Sequence, residues 1–134
     1  MTQTAWADLP NAKHIDRILA DLEKNTDNWY AAWDAERYAA WYAAWDAARD
    51  AVWNTARTDA RDATRDAAWY AARTAASDAA WYAAWGAISA LIAYDDCAYL
   101  LDEKPEHVQM LALLGNEKAL LLYQACVALQ KEMA

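Results

Sequence analysis

Phenylalanine is absent from this chain, and glycine, proline and cysteine occur only twice each. Each shortage closes a class of structure. So few glycines and prolines cannot serve the many turns of a sandwich or barrel, and with alanine abundant the local preference is helical. Cys97 and Cys126 are too few for a disulfide framework in 134 residues, and both read as reduced thiols on buried helix faces. Without Phe, the aromatic bulk rests on nine Trp and eight Tyr, every one carrying a polar N–H or O–H. Such side chains suit boundaries and ligand-facing surfaces, where the polar end meets a partner.

Positive charge is also scarce. The net charge is −8, and residues 1–28, 29–88 and 89–134 are each net acidic, so duplex nucleic acid is not an expected partner. No apolar run is long enough for a bilayer: the longest uncharged stretch, residues 79–94, has 16 residues and contains Gly86 and Ser89, short of the ~20 that a spanning helix needs. The opening MTQTAWADLP has neither a positive nor an apolar signal region. A soluble, cytoplasmic protein without membrane partners is therefore expected.

What the chain has instead is a spacing. From Trp29 to Ile88 it advances in tetrads without insertion or deletion. The first column reads W W R W W R W R R R W R S W W, the second is mostly Tyr or Asp, and the third and fourth are nearly all Ala. A helix turns about 100° per residue, so each tetrad overshoots one turn by roughly 40° and the columns wind around the helix. Over the whole block the winding reaches roughly 600°, and one straight helix could not keep its Ala face on a single partner. Division into several helices is favoured over one right-handed superhelix, with interruptions expected at residues 54–59 (NTARTD) and at Ser77-Asp78. The twelve-residue cassette WYAAWDAERYAA recurs as WYAAWDAARDAV, and WYAARTAAS as WYAAWGAIS, which points to duplication.

The flanks are conventional. Residues 11–24 place Ile15, Ile18, Leu19 and Leu22 at helical spacing behind Pro10 and Asn11. Residues 88–101 are expected to continue helical, with Leu91, Ile92, Tyr94, Tyr99 and Leu100 in the core. Pro105 starts a short helix that Gly115 closes, and Asn116 opens a last one whose Leu120, Leu121, Leu122, Val127 and Leu129 cover a wide arc. The expected fold is all-α, a single domain over residues 1–134: Ala-rich repeat helices packed as a bundle or hairpin, with a C-terminal helical cap. Ala pairs should form close seams between helices, flanked by Trp and Tyr.

Catalytic constellations are missing. His14 and His107 are isolated, no HExxH, P-loop, GxGxxG or GxSxG occurs, and neither a metal site nor a cofactor is expected. An enzyme built on Asp95, Asp96 and His107 is a distant alternative, since adjacent helical residues point about 100° apart. The feature that invites a functional reading is the alternation Trp53, Arg57, Arg61, Arg65, Trp69, Arg73. All five Lys lie outside the tetrad block and every basic residue inside it is Arg. Guanidinium groups stack on rings and grip phosphate or carboxylate with two prongs, which Lys does not do. Two readings stand. In one, Asp residues three positions before Arg (Asp34/Arg37, Asp46/Arg49, Asp62/Arg65) neutralise the ladder as helix-surface pairs and the aromatics are packing bulk. In the other, the six residues face a groove that holds a nucleotide-like ligand or an acidic partner.

The A-A-W-D-A-A-R tetrads, followed by LIAYDDCAYLLD and VQMLALLG, resemble a group of Ala/Trp-rich, tetrapeptide-like short-repeat proteins of phages and mobile elements. The resemblance covers residues 29–115 and carries no motif of assigned chemistry. It implies a small accessory protein in the host cytoplasm that binds a host molecule. The function expected is a non-enzymatic, self-associating helical binding module, in its concrete version a phage-encoded inhibitor of a host defence component. The alternative is a structural or virion-associated oligomeric helical protein with no ligand.

Overall fold

A computed structural model describes residues 4–34, 39–56, 59–76 and 79–130, with backbone alone at residues 39, 40, 42, 53–56, 59–63 and 79. Among the described residues the chain is all-α, with no strand. The helices are α1 (Ala12–Lys24), α2 (Thr26–Asp34), α3 (Ala39–Ala56), α4 (Asp59–Ala75), α5 (Ala79–Ala93), a 3₁₀ helix (Ala98–Asp102), α6 (Pro105–Leu113) and α7 (Glu117–Gln130). They pack as a bundle around two central members. Helix α5 touches α1, α2, α3, α4 and α7, while α7 touches α1, α2, α3, α5, α6 and the 3₁₀ helix. Both are apolar on nearly every side, which is what central placement requires. From Ala80 to Ile92 only Tyr82 is exposed, and in α7 the run Ala119–Leu122 is wholly buried.

The described part of the tetrad block lies in α2, α3, α4 and α5. The spans of α3 and α4 are described up to Ala56 and from Asp59, and α4 ends at Ala75; the expected interruptions at residues 54–59 and at Ser77-Asp78 fall wholly or partly on residues outside the description. Residues 35–38, between the described spans of α2 and α3, also lie outside the description. A stripe that moves about 40° per tetrad leaves the core within a few turns. Each helix therefore presents a different part of the pattern. Ala48, Ala68, Ala72, Ala83, Ala84 and Ala87 are buried seams, whereas Ala43, Ala44 and Ala47 face outward.

Much of the Trp column packs inward beside the Ala seams. Trp29, Trp33, Trp41, Trp45, Trp81 and Trp85 are all buried in the chain's own core. Their polar ends are served locally where an acid is near: the Trp29 indole N–H donates to Asp21 Oδ2 at 2.8 Å, and that of Trp6 to Asp16 Oδ1 at 2.7 Å.

Helix ends show where sequence signals hold. Gly115 has φ of +95°, and the Gly115 and Asn116 N–H groups donate to the Ala112 and Leu111 carbonyls, a Schellman closure of α6. Asn116 Oδ1 accepts the Ala119 N–H at 3.0 Å and caps α7. The helix expected over residues 88–101 instead ends at Ala93, and a turn leads to the 3₁₀ helix, which leaves Tyr99 exposed and Leu101 buried. The Asn11 side chain explains the stop. Its Nδ2 donates to the Leu91 and Tyr94 carbonyls at 3.0 and 2.8 Å, satisfying α5's terminal acceptors instead of capping α1.

Candidate functional site

The tetrads meet across helices rather than along one. Trp69 of α4, Trp81, Tyr82 and Trp85 of α5, and Arg49 and Asp50 of α3 line an open cleft of about 320 Å³. The walls are assembled by ring packing. Tyr82 is stacked between Trp81, at 4.3 Å, and Trp33, at 5.6 Å, while Trp69 meets Trp81 edge-on at 5.8 Å. Behind them Trp45 packs edge-on against Trp33 at 5.0 Å. Such contacts fix ring orientation as well as burying area.

Two guanidinium groups lie on this aromatic surface. Arg73 sits 5.1 Å from the Trp69 ring centre and 5.0 Å from that of Trp81. Arg49 lies 5.4 Å over Trp45, with its Nη2 3.3 Å from Asp50 and 3.9 Å from Asp46. The Asp50 side chain is 71% exposed, so the pair is in water and weak. A ligand anion offering better geometry can replace that carboxylate on Arg49.

Compared with family models, curated proteins and solved structures, this chain matches none.

The site residues expected from the sequence are split by the fold. Trp69 lines the cleft and Arg73 stacks on two of its walls. Arg65 does not line it: the side chain is mostly buried, 3.6 Å from Asp66. Arg57 lies outside the described residues, and Trp53 and Arg61 are described by backbone alone. Of the expected Asp–Arg pairs, Asp46–Arg49 is present, while Asp34/Arg37 and Asp62/Arg65 involve side chains outside the description.

Arg49, Asp50, Trp81, Tyr82 and Trp85 were not anticipated as a site. A signal existed: Arg49, Trp69, Trp81 and Trp85 all belong to the first column of the tetrads. Members of that column that are distant in sequence, rather than a contiguous window of it, meet at the cleft because they lie on three helices packed together.

Elsewhere, chemistry is muted. Among the described residues no group of three His, Cys, Asp or Glu side chains could hold a metal, and no helix is long and apolar enough to cross a membrane. Asp96 pairs with Lys118 at 3.3 Å, and His107 Nδ1 lies 3.6 Å from Glu103. Burial lowers the His14 pKa from its ordinary value, with Lys13 adding to the effect. Cys97 and Cys126 are free and buried, and burial pushes each thiol up to about 12.

Proposed function

We propose that the protein is a non-enzymatic binding module whose ligand is a small planar anion of nucleotide type, held in the Trp69/Trp81/Tyr82/Trp85 cleft. The observation that carries this reading is the pairing of an aromatic-walled opening with Arg49, whose present carboxylate partner is solvent-exposed and displaceable. A ring system would lie against the indole and phenol faces while Arg49 and Arg73 meet a phosphate or carboxylate. The cleft volume is at the small end of ligand pockets, which suits a single nucleotide rather than a polymer. The resemblance to phage-type proteins supports the concrete version, sequestration of a nucleotide signal of the host.

Isothermal titration with nucleoside mono-, di- and triphosphates, cyclic dinucleotides and inorganic phosphate tests the reading. One of the nucleotides should bind, inorganic phosphate alone should not, and Arg49→Ala should weaken binding roughly 10–100-fold, the loss of one charge-assisted hydrogen bond. Arg17→Ala, whose side chain pairs with Asp102 away from the cleft, should leave the affinity intact. Silence across the panel, or equal binding by Arg49→Ala, removes the cleft as the site and favours the ligand-free structural alternative.

A further inference from the structure

Away from the cleft, helix α6 carries an apolar stripe that the bundle does not cover. Met110, Leu113 and Leu114 are 57, 66 and 77% exposed. Their spacing, i, i+3 and i+4, puts them on one face of the last helical turn. The opposite face is committed to the core through Val108 and Ala112. The stripe is rigid because the Schellman closure at Gly115 and the Asn116 cap fix the junction of α6 and α7. Scattered single apolar residues on a surface need no explanation, but three large ones in one turn do.

Charge decides among the possible occupants. Glu106 lies one turn before Met110 on the same face, and Glu117 follows Leu114 by three residues at the start of α7. Both are exposed, and neither is in an ion pair among the described residues. The basic groups nearest in sequence do not answer them. Lys118 is held by Asp96 and the Tyr94 ring, and Lys104 lies six residues before Met110, about 240° around the helix. The stripe is thus apolar, with Glu106 one turn before it on the same helix and Glu117 just after it in the chain, at the first position of α7. A second copy of this chain docked about a two-fold axis would set carboxylate against carboxylate, and an anionic lipid surface would be repelled.

We infer that this face of α6 docks a basic amphipathic helix, with apolar anchors on Met110, Leu113 and Leu114 and Lys or Arg side chains on Glu106 and Glu117. Helix-in-groove recognition uses this division of labour, apolar anchors for affinity and rim charges for selection. The inference is independent of the cleft, since none of these residues lines it.

The test is titration of the full chain with a synthetic amphipathic Leu/Lys peptide and with a Leu/Glu peptide of the same apolar pattern. The Leu/Lys peptide should bind and the Leu/Glu peptide should not. The double variants Leu113→Ser/Leu114→Ser and Glu106→Lys/Glu117→Lys should each lose about tenfold in affinity or more. Glu23→Lys/Asp27→Lys, an equal charge change at exposed positions of α1 and α2, should stay within about twofold of the parent, which separates the stripe from the general acidity of the chain. Circular dichroism checks that the variants fold, and because the replaced side chains are exposed the charge variant remains informative if the serine variant fails. Equal binding of the two peptides, no binding, or affinities unmoved by the stripe variants would overturn the inference. So would light scattering that shows a dimer dissolved by Leu114→Ser, or binding to phosphatidylcholine vesicles in place of the peptide.

Discussion

Trp45 lies so close to helix α5 that a methyl group on Gly86 would come within 2.9 Å of its indole Nε1 and Cζ2. The indole cannot retreat, since it is 1% exposed and packed against Trp33 and Tyr82. Gly86→Ala is therefore expected to destabilise: overpacking costs about 1–3 kcal/mol, and the gain in helix propensity of about 1 kcal/mol offsets only part of it. Thermal unfolding should show a lower midpoint, and an unchanged or higher midpoint would mean that the indole moves freely. The thiols make a second residue-scale prediction. An unfolded thiol ionises near its ordinary value of 9.0 and the folded ones near 12, so the folded state keeps this contribution in full below pH 9 and loses it as pH rises toward 12. At pH 8 a disulfide reagent should label almost no thiol in the native protein and two after denaturation.

At the scale of elements, the end of α5 depends on a residue some eighty positions away. Asn11→Ala strands the Leu91 and Tyr94 carbonyls, and an expected loss of about 1–3 kcal/mol should appear as a lower denaturant midpoint, with faster hydrogen exchange in the last turn of α5. Which signals the sequence carried follows from their range. Pro105, Gly115 and Asn116 act on their own neighbours and could be read directly; Asn11 looked like a cap for α1 because its true partners are distant in sequence. Tyr99 follows the same logic, because the helix expected to bury it stops at Ala93.

At the scale of the molecule, the tetrads build a core in which indoles do the work usually given to Phe and Leu, and the surplus of rings at the α3, α4 and α5 contacts forms the cleft. The all-α class was readable from alanine content and the near absence of breakers. The cleft was readable only in kind, as Trp and Arg together, because its members come from three different helices. The most direct test of the cleft is the indole N–H region of a ¹H–¹⁵N spectrum, where nine Trp report separately. Titration with the nucleotide selected by calorimetry should shift the signals of Trp69, Trp81 and Trp85 and leave those of Trp6 and Trp29, anchored on Asp16 and Asp21, in place. Shifts confined to Trp6 or Trp29, or a spectrum that does not change at saturating nucleotide, would contradict the account.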